Sequence, residues 1–161
     1  MKTKVAHFGV FTALALIFSY VETLIPIPIG IPGIKLGLAN LIIVISLYKF
    51  SIKETGLLMV TKVLLAGFMF GNLSMILYSL AGGISSLIVM LILRKSDKFS
   101  VFGVSMMGGV FHNLGQLIVA VVVLESISIF YYMPVLLVIG LVTGFVIGFI
   151  SNEIMKRMKE L

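Results

Sequence analysis

The sequence predicts an all-α integral membrane protein, a six-transmembrane-helix bundle forming a single membrane domain over residues 1–161. Three observations carry that prediction. The chain is 60% hydrophobic and 11% charged, with a mean hydropathy of +1.24, which leaves too little polar surface to enclose a soluble domain. Its apolar residues fall in long runs, and about 20 such residues cross the hydrocarbon core as a helix. Lys2, Lys4, Lys49, Lys53, Arg94, Lys95, Lys98, Lys156, Arg157 and Lys159 all sit at the ends of those runs, where the positive-inside rule puts them. The same placement argues against nucleic acid as a partner despite the net charge of +6, and makes the lipid bilayer the expected one. Cysteine is absent, so disulfides and thiolate metal sites are excluded.

The first span is expected over residues 5–25. Its basic start and apolar run resemble a secretion signal, but no small-residue cleavage site follows, and Glu22 and a proline run do, so a mature helix is expected. Gly9 and Ala13 on it form a small-xxx-small pair suited to a partner interface or to internal packing. His7, near the basic end, is assigned a structural role. Residues 20–40, YVETLIPIPIGIPGIKLGLAN, then hold the stretch around which the chain is organised. Proline fixes φ and lacks an amide donor, so Pro26, Pro28 and Pro32 with Gly33 are expected to make a stiff, non-helical gating loop over a binding site.

The second and third spans, 34–47 and 56–70, are short, and the lysines of KFSIKET can extend them by reaching the interface. The fourth, fifth and sixth are expected at 73–93, 101–124 and 131–151. Tyr131 and Tyr132 suit an aromatic anchor, and Gly140, Gly144 and Gly148 a close helix contact inside the bundle. Basic connections alternate with connections holding only Glu22, Lys35 and Glu125 nearby, so both termini are expected in the cytoplasm and the proline turn outside. The Asn-Leu pairs at Asn40, Asn72 and Asn113 are unevenly spaced and define no repeat.

Lys62 is the least comfortable residue in this scheme. It lies roughly 10 Å into the third span at 1.5 Å per residue, where a lysine costs about 2.5–3.5 kcal/mol on insertion scales. It therefore needs a carboxylate, a wet cavity or an anionic ligand, unless it snorkels or loses its proton. His112, Asn113 and Gln116 fall within one turn of the fifth span, with Gly108, Gly109 and Gly115 around them. With Glu22, Lys35, Asn40, Lys62 and Asn72 they form the expected substrate-binding set in the outer half of the bundle. The competing reading takes the amides as helix glue, worth about 0.6–2 kcal/mol each, and Glu22 and Lys62 as a simple pair. No paired carboxylates, Ser/His/Asp set, phosphate loop or aspartate-rich metal motif is present, so no enzyme activity, cofactor or metal is expected.

Four segments carry a resemblance: SYVETLIPIPIGIPGIKLGLANLIIVISLY, GNLSMILYSLAGGISSLIVM, FHNLGQLIVA and FYYMPVLLVIGLVTG. They resemble the bacterial Gx transporter family, also called heptaprenyl diphosphate synthase component I, over nearly the whole chain and most specifically at PGIKLGLAN and HNLGQL. That family is similar to the substrate-binding S components of energy-coupling factor transporters. The resemblance implies a six-helix protein of the bacterial cell membrane that binds a small molecule near the outer surface, with an energy-coupling transmembrane subunit and ATPases as partners. Gly9 and Ala13 resemble the small-residue motif that meets the coupling subunit, with glycine where alanine is usual. The synthase name implies an alternative: a non-catalytic membrane subunit serving prenyl diphosphate or quinone synthesis, or flavin-linked extracellular electron transfer. A scaffold whose polar residues are only glue is the third reading.

Overall fold

The computed structural model describes residues 2–24 and 37–158, and every regular element among them is helical. The helices are α1 (Lys2–Leu24), α2 (Asn40–Lys49), α3 (Ile52–Phe70), α4 (Leu73–Lys95), α5 (Val101–Val123) and α6 (Met133–Arg157), with a 3-10 turn at Ile127–Tyr132 leading into α6. The expected gating loop, Pro26, Pro28, Pro32 and Gly33, and the expected site residue Lys35 lie outside the described residues.

Local chemistry sets the helix starts. Ser51 and Glu54 form a reciprocal capping box: Ser51 Oγ accepts from the Glu54 amide, and the Glu54 carboxylate accepts from the Ser51 amide at 2.9 Å. α3 therefore opens at Ile52, four residues ahead of the expected start. Asn72 and Ser100 cap α4 and α5 in the same manner, through the amides of Met75 and Gly103. The second span opens as a helix only at Asn40, not at 34. Gly37 has φ +83°, a left-handed conformation that an α-helix cannot contain, and residues 37–39 form a turn.

By length and composition Val5–Leu24, Leu73–Lys95, Val101–Val123 and Ile127–Arg157 suffice to cross a membrane. Helix α3 has 19 residues but carries Lys53, Glu54 and Lys62. Helix α2 has only 10 residues, about 15 Å of rise. Leu41 through Leu47 are all buried, as expected of a helix that is apolar on every side. The other five helices expose large apolar side chains such as Ile17, Phe68, Ile92, Val122 and Phe149, a surface that only hydrocarbon accommodates. The protein is thus an all-helical membrane bundle with a short helix enclosed in it.

Helix α5 packs along both α4 and α6, α1 packs on α3, and α2 lies against α1, α3 and α6. The α5–α6 contact is backbone on backbone. A Cβ at Gly144 would lie 2.6 Å from the Ser105 carbonyl oxygen, and one at Gly140 2.8 Å from that of Gly109. The glycine stripe of the last span is therefore an internal seam. At the basic end, Arg94 of α4 donates to the Leu47 carbonyl and stacks 5.1 Å from the Tyr48 ring centroid, which fixes the end of α2.

Candidate functional site

The turn between α1 and α2 builds the site. Glu22, in the last turn of α1, is buried and accepts a hydrogen bond from the Gly37 amide. The Gly37 carbonyl in turn accepts from the Asn40 amide at 2.8 Å, closing the turn that starts α2. Asn40 Oδ1 accepts from Lys62 Nζ at 3.1 Å. Lys62, only 7% exposed, stands ten residues into α3, about 15 Å from its start. A chain of contacts thus links α1, the turn, α2 and α3.

Helix α5 supplies the opposite wall. His112 and Gln116, one turn apart, line the same cavity as Ser19, Glu22, Lys62 and Ser79. Its volume is about 20 Å³, room for little more than one water. Gln116 is fully buried, and neither its Nε2 nor its Oε1 has a hydrogen-bond partner in the protein. His112 Nδ1 is directed at the backbone of Gly82 without a well-formed hydrogen bond. Among the described residues five buried side-chain polar atoms lack a well-formed hydrogen bond, and three of the five belong to this wall. Each such group left without a partner costs about 1–3 kcal/mol. The arrangement offers two amide donors, two amide acceptor positions, an ammonium and a carboxylate to whatever enters.

His112 also lines a second, smaller cavity of about 10 Å³ between α2, α4, α5 and α6, with Asn40, Ser86, Ser105 and Thr143. The imidazole is a partition between the two spaces.

The structure brings together Glu22, Asn40, Lys62, His112 and Gln116 from the expected set. Asn113 and Asn72 stand apart from them. Asn113 Nδ2 donates to the Leu136 carbonyl at 2.8 Å, so this side chain ties α5 to α6 and faces away from the cavity. Asn72 is exposed at the start of α4, where Oδ1 caps the helix at 2.9 Å from the Met75 amide. Gly9 and Ala13 are exposed on α1, and nothing lies within 4 Å of where a Gly9 Cβ would be. Ser19 and Ser79 were not singled out in the sequence. Ser19 had a signal, since it precedes Glu22 by three residues and so shares its face of α1. Among the described residues no three His, Asp or Glu side chains gather as metal ligands.

The family description heptaprenyl diphosphate synthase component I matches residues 11–154. No match was found among curated proteins or among solved structures. The matched region takes in α2 to α5, the second half of α1, nearly all of α6, and every described residue lining the cavity; the chain belongs to the heptaprenyl diphosphate synthase component I family of membrane proteins.

Proposed function

We propose that the protein is the solute-binding subunit of a small-molecule uptake transporter in the bacterial cell membrane. The observation that carries this reading is Gln116, whose amide is fully buried beside Lys62 and Glu22 with both polar atoms unpartnered. A group kept in that state at a cost of about 1–3 kcal/mol per atom suits a partner that comes and goes. Its donor and acceptor sit side by side, which matches the edge of a carboxamide, lactam or imide. Lys62 and Glu22 offset one another in charge, so a neutral or zwitterionic solute fits better than a strong anion.

The cavity as it stands admits about a water, whereas small-molecule sites run to about 300–1,000 Å³. Uptake therefore requires the walls to part. The contact between Glu22 and the Gly37 amide is the link to break, because it ties α1 to the turn that starts α2. The resemblance to S components supports an energy-coupling transmembrane subunit and ATPases as partners, with the exposed Gly9 and Ala13 face of α1 as their docking surface. In this reading the chain itself is not an enzyme.

The family's name favours a second reading, a non-catalytic membrane subunit of prenyl diphosphate or quinone synthesis. Prenyl diphosphate chemistry ordinarily uses clustered aspartates, and the sequence holds a single aspartate, Asp97. That residue lines a cleft with Arg94 and Lys95 at the basic end, away from Gln116. Two measurements separate the readings. Fractions of a low-molecular-mass cell extract are added to purified protein and its thermal midpoint followed; under the transporter reading one fraction raises the midpoint of wild type but not of Lys62→Met. Isolation of the tagged protein then yields a coupling subunit with ATPases. Recovery of a soluble prenyl synthase instead, with no stabilising fraction, supports the second reading and removes the first.

A further inference from the structure

At the basic end of the bundle the last turns of α2 and α6 meet the first turn of α5. Tyr48 and Lys49 come from α2, Val101 from α5, and Asn152, Met155 and Lys156 from α6; together they line a cleft of about 250 Å³. A lysine at a helix C-terminus is ordinarily explained by the helix dipole alone. Here two lysines from different helices share one cleft with an amide and a phenol, and among the described residues no carboxylate lines it. Among the described residues the acidic neighbours in sequence are engaged elsewhere, Glu54 in the capping box of α3. Glu153 faces Arg157 at 3.5 Å, and Asp97 lines a different cleft. Tyr48 is held in place from behind by the Arg94 guanidinium, which adds a third positive charge close by.

The cleft also has an apolar continuation. On α6 the face that carries Asn152 and Lys156 runs on toward the middle of the helix as Phe149 and Phe145, at spacings of three and four residues. Both phenylalanines are at least half exposed, and both stack on Phe102, with centroids 6.4 and 6.1 Å away. A donor-rich cleft at the membrane boundary, with no carboxylate among its described lining residues, that leads onto an aromatic track in the hydrocarbon suits one kind of molecule. We infer that it holds an anionic phospholipid of the leaflet at the basic end, with the phosphate between Lys49 and Lys156 and an acyl chain along Phe149 and Phe145. Free phosphate would use the lysines and leave the track unused.

The test uses the full-length protein, delipidated in detergent and titrated with dioleoyl phosphatidylglycerol, dioleoyl phosphatidylcholine or inorganic phosphate, with bound lipid counted by native mass spectrometry. Each lysine near a membrane surface contributes about fivefold in affinity for anionic lipid. Lys49→Gln with Lys156→Gln should therefore weaken phosphatidylglycerol binding by about 25-fold. Lys53→Gln with Lys98→Gln, an equal charge loss at the same end but outside the cleft, should change it by no more than about twofold. Phe149→Ala should weaken phosphatidylglycerol binding with the lysines intact. All four lysines are exposed, so folding is checked simply by an unchanged thermal midpoint in phosphatidylcholine. Equal weakening by the two lysine pairs would overturn the site, since the effect would then be surface charge only. Competition by millimolar inorganic phosphate together with indifference to Phe149→Ala would overturn the lipid.

Discussion

At the scale of single residues, the protein keeps polar groups where an apolar one would fold better. Gln116→Leu removes two unpartnered buried atoms, and each costs about 1–3 kcal/mol. The variant is expected to melt at a higher temperature than wild type while losing its solute, as followed by thermal unfolding and ligand retention on the same preparation. Asn113→Leu is the contrasting case. It removes the bond to the Leu136 carbonyl, so stability should fall by about 0.6–2 kcal/mol with solute retention unchanged. The two residues are three apart on one helix, and the sequence could not separate them. Helical spacing puts both within one turn, but only the neighbours decide that Asn113 meets α6 while Gln116 meets the cavity. Lys62 was legible because its cost in hydrocarbon is large enough to demand an explanation by itself. Asn72 misled because an asparagine at the edge of an apolar run reads equally as a ligand or a cap, and the Met75 amide it satisfies belongs to the backbone.

Helices and their joints were legible to different degrees. The long apolar runs set α4 and α5 to within two residues and α1 to within three, since length and hydropathy are properties of the chain itself, whereas α6 runs six residues past its expected end, through the polar stretch to Arg157. The start of α2 was not legible, because the left-handed Gly37 and its contact with Glu22 depend on residues fifteen apart. A side chain at Gly37 meets two obstacles at once: the positive φ, and the Asn40 Nδ2, which would lie 2.7 Å from the new Cβ. Gly37→Ala should cost at least about 1 kcal/mol and also disturb the Asn40–Lys62 contact, so stability and solute retention should fall together. Gly144→Ala acts on the other seam. Its Cβ would press on the Ser105 carbonyl, which is backbone and cannot rotate away, and overpacking of this kind costs about 1–3 kcal/mol. Its effect should appear in the thermal midpoint while the affinity of the surviving folded protein stays near that of wild type.

Considered whole, the molecule carries apolar residues facing outward on five helices around an apolar core, and Ser19, Glu22, Lys62, His112 and Gln116 are buried polar groups that meet at one cavity between α1, α3, α4 and α5. Burial at one level therefore says little about function; unpartnered burial says more. The basic end, with Lys49, Lys53, Arg94, Lys95 and Lys98, lies opposite the cavity, as the alternating helices require. Cysteines introduced at Lys53 and at Glu125 should accordingly react with a membrane-impermeant thiol reagent from opposite sides in intact cells, with Glu125 labelled from outside. Labelling of both positions from one side would contradict the arrangement of the helices. The most direct test of the central claim is mass spectrometry of the small molecules released from freshly purified wild-type protein and from Gln116→Leu. A polar compound with an amide-like edge, close to one per chain in wild type and absent from the variant, is the expected result. Equal amounts of the same compounds from both proteins, or nothing but lipid from wild type, would contradict it.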